Sequence, residues 1–377
     1  MKKKILIFSV AYHPFIGGAE VAVKEITDRL HEYEFDMVTL NLDGKQLPYE
    51  RIGNIDVFRV GMKGRLSKLL FPFTAYYFAN RRHRTEKYDA TWSIMASFSG
   101  FAALFFKLIH PKIPFFLTLQ EGDSLQHIKR QVGILYFLFK KIFKKADRIH
   151  AISQFLATFG KDMGATCPIV VIPNGVDTTV FMKTFSDAQL ELVFKELGKE
   201  KGERLLITTS RLVAKNGIGD VIAAMALLPH SIKFAVIGIG PLEDTLRKQV
   251  ADLKLTERVL FLGQKENVDL PKYLAVSDIF IRPSLSEGQG ISFIEAMAAG
   301  IPVIATPVGG IPDFLEDRKT GLFCRVNDPQ SIVESVTEIL DNHELKEQIV
   351  QNAQDMAKNK YSWPLIVKRI DKEFLSS

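Results

Sequence analysis

The chain has 377 residues, of which 47% are hydrophobic and 24% charged, which is ordinary for a globular protein large enough to bury two cores. Its net charge is +6, but residues 1–150 carry 24 Lys and Arg against 14 Asp and Glu, so the positive charge is concentrated there. The only two cysteines, Cys167 and Cys324, lie far apart and provide neither a disulfide framework nor metal-ligand spacing. Histidine is scarce and forms no HExxH or HxxEH pair, so we expect no metal cofactor.

The amino-terminal segment has three lysines followed by the apolar run 5–10. A secretory signal peptide begins in the same way, but this run is short and no small-residue cleavage site follows, so we predict a buried strand instead. The longest stretch without charge, 90–106, has 17 residues, whereas a membrane-spanning helix needs about 20 mainly apolar residues. We therefore expect no transmembrane segment and a cytoplasmic protein, either free or bound peripherally at the inner face of the cell membrane.

In the first half of the chain, short β-rich runs alternate with longer amphipathic segments, a pattern typical of parallel sheets covered by helices. The predicted strands are 4–10, 36–40, 55–60, 89–94, 114–119, 148–152 and 169–172. The predicted helices are 18–32, 68–84, 98–109, 124–145 and 153–162.

The same pattern restarts after a turn-rich linker at 173–184. The predicted strands of the second half are 204–209, 233–237, 258–262, 278–281, 302–306 and 321–323. A restart predicts two α/β Rossmann-like domains, 1–172 and 173–360, and not one large sheet. The tail 328–374 has helical periodicity, and Pro364 predicts a break between two helices. We expect the last helix, about 361–377, to pack on the first domain.

The most informative segment is 283–300, in which a glycine-containing loop follows the strand 278–281 and a helix is predicted to begin near Ile291. The first amides of a helix lack intrahelical partners and lie at the positive end of its dipole, so they can bind a diphosphate. Gly288 and Gly290 let the backbone approach the phosphate oxygens, and the amides from Gly290 to Ser292 would contact them.

Glu287 and Glu295 lie on either side of the start of this helix in sequence. Eight residues cover up to about 12 Å, so the two carboxylates could lie on opposite sides of a diphosphate. Glu287 would then accept hydrogen bonds from hydroxyls of a sugar, and Glu295 from those of a ribose. The alternative is a solvated Glu287 and a surface Glu295, but the strand, loop and helix around them favour binding.

This segment and four others, in the expected order, resemble the retaining glycosyltransferases of family 4 (glycosyl transferases group 1) with the GT-B fold. The segment 14–20, with Gly17 and Gly18, is similar to the glycine loop of the family, and 171–177, with Asn174, to its interdomain segment. The segment 210–217 is similar to its Arg/Lys phosphate-binding motif, and 236–241, with Gly238 and Gly240, to its nucleotide-side glycine turn. The segments 302–310 and 320–323 match as well.

The resemblance implies two facing Rossmann-like domains with parallel sheets and an interdomain cleft. It implies transfer of a sugar from a UDP- or GDP-sugar to a saccharide or lipid-linked saccharide acceptor, with retention of anomeric configuration, in cell-envelope or exopolysaccharide glycan synthesis. No cofactor is expected besides the donor. The alternatives are a nucleotide-sugar epimerase or another GT-B enzyme. A nucleic-acid binder is disfavoured because most aromatic residues have core-like periodicity, and a dehydrogenase because no G-x-G-x-x-G follows the first strand.

Arg211 and Lys215 follow the strand 204–209, where α/β sheets expose ligand-binding loops. Together with Glu287 they are the predicted catalytic residues, because two cations can neutralise a diphosphate leaving group. The alternative is a solvated basic pair. Many relatives place the lysine directly before the glycine, where this chain has Asn216. Similarly, the amides of Gly17 and Gly18 could contact the diphosphate or acceptor, or simply form a tight turn.

On the acceptor side, relatives often carry a histidine where this chain has Gln120. Glutamine can form hydrogen bonds but does not titrate near neutral pH, so we assign no general base there. Glu121, Asp123 and Asn174 are further acceptor-side candidates, and the two acids could instead be loop caps.

Two apolar and basic segments, 68–84 and 134–145, suit an anionic membrane surface. Alternatively, they pack their apolar faces on the sheet and expose their lysines to solvent.

Overall fold

The computed structural model describes residues 2–15, 17–123, 128, 130, 132–200 and 202–376. The chain forms two compact units. The first contains Met1–Asn174 and Trp363–Ser377, and the second contains Gly175–Ser362. Each unit has its own sheet with helices, which confirms the predicted α/β class with two parallel sheets.

The sheet of the first unit consists of β1 (Lys3–Phe8), β2 (Tyr33–Leu40), β3 (Tyr49–Ile52), β4 (Ile55–Val60), β5 (Ala90–Ile94), β6 (Phe115–Leu119), β7 (Arg148–Ala151) and β8 (Ile169–Val171). Their order is β3-β4-β2-β1-β5-β6-β7-β8, and all pairs are parallel except β3 with β4. The helices are α1 (Gly18–Arg29), α2 (Arg65–Glu86), α3 (Phe98–Ile109), α4 (Tyr136–Lys145) and α5 (Gln154–Asp162).

Helices cover both faces of this sheet, since successive side chains of a strand point to opposite faces. On one face, Phe115 and Leu117 of β6 lie in a hydrophobic core shared with α2, α3, α4 and α5. On the other face, the ring of Phe116 lies 5.2 Å from that of Phe374 in the C-terminal segment, and α1 packs against α14 (Trp363–Ile370). The first unit therefore has one layer of α2–α5 and an opposite layer of α1 with the C-terminal segment.

The sheet of the second unit consists of β9 (Arg204–Thr209), β10 (Ile232–Ile237), β11 (Val259–Gly263), β12 (Ile279–Arg282), β13 (Val303–Ala305) and β14 (Leu322–Phe323). Their order is β11-β10-β9-β12-β13-β14, and every pair is parallel. The helices are α6 (Thr178–Phe181), α7 (Asp187–Leu197), α8 (Ile218–Met225), α9 (Glu243–Asp252), α10 (Leu270–Ala275), α11 (Ile291–Ala298), α12 (Pro329–Asp341) and α13 (His343–Lys360).

Three predictions about the elements need correction. The short strand β3 is missing from the predictions, because it lies at the sheet edge and its side chains are exposed or half-buried. The single helix predicted over 124–145 is wrong: Gly133 has a φ of 51° and begins a separate 3₁₀ turn before α4, and part of this stretch lies outside the described residues.

The tail is helical as predicted, and the break predicted at Pro364 separates α13 from α14, but the earlier break between α12 and α13 was not predicted. Asn342 ends the first of these helices and caps the second, with its side-chain oxygen accepting a hydrogen bond from the Leu345 amide. Pro364 lies in the first turn of α14, where the missing amide hydrogen removes no helical hydrogen bond. The break in the helix therefore lies just before Pro364.

Candidate functional site

The carboxyl ends of parallel strands lie at the same edge of a sheet, and in the second unit four loops are connected there. The loop after β9 accepts a hydrogen bond at the Lys215 carbonyl from the Leu285 amide of the loop after β12, at 2.7 Å. The carbonyl of Leu212 in the same loop accepts from the Leu242 amide, which follows β10, at 3.1 Å. The Glu287 carbonyl accepts from the Gly310 amide, which follows β13, at 3.1 Å. The four loops therefore form one continuous surface.

Two glycines set the spacing of these loops. Gly217 has a φ of 68°, and a Cβ atom there would lie 2.1 Å from the Pro283 carbonyl oxygen. Gly309 has a φ of 57°, and a Cβ atom there would lie 1.9 Å from the Glu287 carbonyl oxygen. No other residue fits either position without displacing the neighbouring backbone, so these glycines hold the β12 loop in place.

The predicted glycines belong to the same surface. A Cβ atom on Gly238 or Gly240 would lie 1.9 Å from the Ser210 carbonyl oxygen or 2.4 Å from that of Leu212, so the β10 turn lies directly against the β9 loop. Gly288 donates its amide hydrogen to Glu287 Oε1 at 3.0 Å, and that amide is therefore already occupied.

The helix α11 begins at Ile291, as predicted from the sequence, and Gly290 is its amino-terminal cap residue. Residues 292–298 are all buried, so packing fixes the direction of the helix. Its first amides, including those of Ile291 and Ser292, have no acceptor within the helix and carry the positive end of its dipole. This edge of the second unit thus contains the predicted anion-binding helix start.

Arg282, the last residue of β12, was not predicted as a site residue, and it connects the parts of this surface. Its Nη1 donates to Ser292 Oγ at 2.7 Å, and its Nη2 donates to Glu287 Oε2 at 2.8 Å. Its guanidinium carbon lies 4.1 Å from the centre of the Phe293 ring. The side chain is only 6% exposed, and burial lowers the pKa of the guanidinium while Glu287 and Glu295 oppose this.

The two predicted carboxylates have different environments. Glu287 is half-buried and ion-paired with Arg282. Glu295 is 8% exposed, and burial raises the pKa of its carboxyl to about 7, with the charge of Arg282 acting in the opposite direction. A charge on Glu295 is therefore costly without hydrogen-bond donors such as hydroxyl groups.

Arg211 and Lys215 lie in the loop after β9, where Arg211 is exposed and Lys215 half-buried in a 3₁₀ turn. Asn216, which stands directly before Gly217, has a structural role. Asn216 is buried, and its Nδ2 donates to the Arg211 carbonyl oxygen at 2.7 Å. This bond closes the loop that carries both cations.

The acceptor-side candidates lie in the first unit. Asn174 Nδ2 donates to Gln120 Oε1 at 3.2 Å, and the Ala96 amide donates to one oxygen of Glu121 at 2.6 Å. Gln120 Nε2 and Glu121 Oε2 are buried and have no hydrogen-bond partner among the residues that the structure describes. Burial raises the pKa of the Glu121 carboxyl to about 7, whereas Asp123 is exposed.

The predicted glycine loop of the first unit precedes α1. The Gly17 amide donates to Glu20 Oε2 at 2.9 Å, so this amide is occupied by the helix's own capping carboxylate. Gly18 is the first residue of the helix and is exposed. Both amides were predicted to contact the diphosphate or the acceptor, and only that of Gly18 takes no part in the capping interaction.

In the part of the chain that the structure describes, metal-ligand clusters and membrane-spanning helices are both absent. No three His, Cys, Asp or Glu side chains among these residues are grouped so as to hold a metal ion. No helix there combines the length and apolar character that crossing a membrane requires.

Two family models match most of the chain: Glycosyltransferase Family 4 matches residues 16–180, and Glycosyl transferases group 1 matches residues 191–356. An uncharacterized glycosyltransferase of Methanocaldococcus jannaschii is 26% identical, over 98% of this chain and 97% of its own. The alpha-monoglucosyldiacylglycerol synthase of Acholeplasma laidlawii is 24% identical, over 93% and 92%. Among solved structures, Anabaena HepE in complex with UDP-glucose has the same fold, with a TM-score of 0.83, 20% identity and coverage of 99% and 100%.

Proposed function

Because the chain belongs to the group 1 glycosyltransferases, we propose that it transfers a sugar from a nucleoside diphosphate sugar with retention of anomeric configuration. The acceptor is a saccharide or a lipid-linked saccharide in cell-envelope or exopolysaccharide synthesis. The observation that carries this proposal is the connection of Glu287 to the start of α11 through the buried Arg282.

In this proposal the diphosphate of the donor binds at the start of α11. The amides of Ile291 and Ser292 contact its oxygens, and Arg211 and Lys215 neutralise the charge that develops on the leaving diphosphate. No metal ion is needed for that role, so we expect transfer to be unchanged by EDTA.

The two carboxylates bind hydroxyl groups of the donor. Arg282 holds Glu287 in one orientation, which prepares its carboxylate to accept hydrogen bonds from the sugar being transferred. Ribose hydroxyls donate to Glu295 and stabilise its charge in the buried position. In the first unit, Gln120 and Glu121 offer a buried donor and acceptor to hydroxyls of the acceptor.

Two relatives support a nucleotide-sugar donor and a glycolipid product. HepE was solved with UDP-glucose, and a Mycobacterium tuberculosis relative, 29% identical over 59% of this chain, is named a GDP-mannose-dependent phosphatidylinositol monomannoside mannosyltransferase. Both UDP and GDP donors therefore belong in the test, as do lipid-linked acceptors.

The test combines binding and turnover. A tight donor raises the melting temperature by mass action, so a thermal-shift screen of UDP, GDP, ADP and their sugars identifies the donor. Transfer is then measured for Arg211→Ala and Glu287→Ala, with Arg204→Ala as control, because Arg204 lies at the opposite end of β9 and pairs with Asp278.

We expect the first two variants to lose transfer while remaining folded, and the control to retain it. Nuclear magnetic resonance of the product should show the donor's anomeric configuration. Wild-type turnover by either site variant rejects the proposal, and epimerisation of the donor without an acceptor would favour the epimerase alternative.

A further inference from the structure

Charge is distributed unequally over the two helical layers of the first unit. The layer α2–α5 contains 11 Lys and Arg against 2 Asp and Glu. The opposite layer, α1 with residues 363–375, contains 5 of each. The excess of basic residues in the first half of the chain is thus concentrated on one side of one sheet.

The same layer exposes large apolar side chains. On α2, Leu66, Leu69, Phe73 and Tyr77 are 68%, 59%, 59% and 67% exposed. Their spacing places them on one side of the helix, opposite the buried residues 71, 75 and 79. An amphipathic helix that packed only on its own sheet would expose polar residues there.

Apolar exposure continues across the neighbouring helices. The ring of Phe73 stacks on Phe105 of α3 at 5.3 Å, and Leu108 at the end of α3 is 51% exposed. On α4, Phe137 is 63% exposed beside the exposed lysines Lys141 and Lys144. We call this surface the basic–apolar face and define it by Leu66, Leu69, Phe73, Tyr77, Leu108 and Phe137.

We propose that the basic–apolar face docks on the surface of a lipid bilayer that contains anionic phospholipids. Leucine and aromatic side chains enter the boundary between headgroups and acyl chains, while lysines and arginines beside them contact lipid phosphates. Each cation near an anionic bilayer strengthens binding about fivefold. Two basic residues of the layer, Arg82 and Lys107, are ion-paired within the unit, but Lys68, Lys141 and Lys144 are exposed beside the apolar side chains and favour this partner.

Two observations favour a bilayer over a nucleic acid. A single-stranded nucleic acid binds aromatic stacking platforms, and it gains little from exposed leucines such as Leu66 and Leu69. The helix α2 has 22 residues, about 33 Å in length, and its exposed apolar side matches a helix lying in the plane of the interface. The docking deepens the proposed function and rests on it in one respect, since a lipid-linked acceptor would be met at this surface.

Flotation of the full chain with vesicles tests the docking without any sugar transfer. The vesicles contain phosphatidylcholine alone or with phosphatidylglycerol, and salt is low. The variants are Leu66→Ser/Phe73→Ser and Lys141→Glu/Lys144→Glu, with Leu192→Ser as control, because Leu192 is 78% exposed on α7 of the second unit. Melting temperature with and without donor nucleotide confirms that each variant is folded.

We expect the wild type to float with anionic vesicles only, each face variant to bind at least about tenfold more weakly, and the control to bind like the wild type. Equal flotation with neutral and anionic vesicles, or wild-type flotation of both face variants, overturns the docking. Preferential binding of single-stranded RNA over anionic vesicles overturns it as well. Failure of the sugar-transfer proposal would instead show as absent nucleotide binding by a protein that still floats.

Discussion

The close contact between Gly309 and Glu287 gives a quantitative test of the site. Substituting Gly309→Ala places a Cβ atom 1.9 Å from the Glu287 carbonyl oxygen, whereas real contacts of this kind are not shorter than 3.0 Å. The backbones of Gly309 and Glu287 must therefore move apart by at least about 1.1 Å in total, which displaces the loop that carries the Glu287 side chain relative to the β13 loop.

The expected effect on catalysis follows from that displacement. A misplacement of about 1 Å costs roughly a hundredfold in rate when the group orients a reacting substrate. Alanine at a φ of 57° also costs about 1–2 kcal/mol of stability. We therefore expect kcat/KM for sugar transfer to fall about a hundredfold in a folded protein that is slightly less stable.

A variant at a second glycine distinguishes the effect of backbone strain from the effect of displacing the Glu287 loop. Gly263 has a φ of 66°, but a Cβ atom there has nothing within 4 Å. Gly263→Ala should therefore lose only the stability that the strained φ costs, about 1–2 kcal/mol in urea unfolding, and retain wild-type kcat/KM. Wild-type kcat/KM for Gly309→Ala, or an equal loss of activity in both variants, would contradict this expectation.

Two further predictions concern the buried charges. Arg282→Met should lower the free energy of unfolding by about 3–5 kcal/mol, as measured in urea, because it removes the positive partner of a buried ion pair. It should also move the acid limb of the kcat/KM profile to higher pH, because the Glu295 carboxyl loses the positive charge that lowers its pKa. An unshifted acid limb would contradict this, and Arg282→Lys should be intermediate. The pKa of Glu295 is raised from 4.5 to about 7 in the folded chain, so its contribution to wild-type stability falls as pH rises through that window. Glu295→Gln should therefore be about 1–3 kcal/mol more stable than the wild type at pH 8 and nearly equal to it at pH 4, below both pKa values. It should also bind nucleotide more weakly by titration calorimetry, and the same pH dependence of stability in both proteins would refute this.

Local sequence signals were sufficient for much of the fold. The strands β4 and β9 and the helix α3 were predicted to the residue, because an apolar run or period ends at a polar or turn-forming residue in each case. The start of α11 was predicted from the glycine-containing loop that follows the strand, and in the structure Gly290 is its left-handed cap residue with a φ of 89°.

Other features depend on tertiary contacts that form only when the chain folds. Arg282 ends an apolar strand, and its role depends on Ser292 and Glu287, which only the folded loop brings to its guanidinium. The raised pKa of Glu295 arises from packing around α11, which no spacing of residues reveals. The roles of Arg211, Glu287 and Glu295 are predictions that the variants above test, and the role of Lys215 stays a prediction.

The path of the chain makes the second unit an insertion into the first. The chain enters it at Gly175 and leaves it at Ser362, and these two crossings are adjacent, since the Val176 amide donates to the Tyr361 carbonyl oxygen at 2.7 Å. A fragment ending at Asn174 would lack Phe374, which is fully buried in the first unit. Because the two junctions are neighbours, residues 175–362 could be exchanged as one block between related genes. Truncation at Asn174 would instead leave the core of the first unit incomplete.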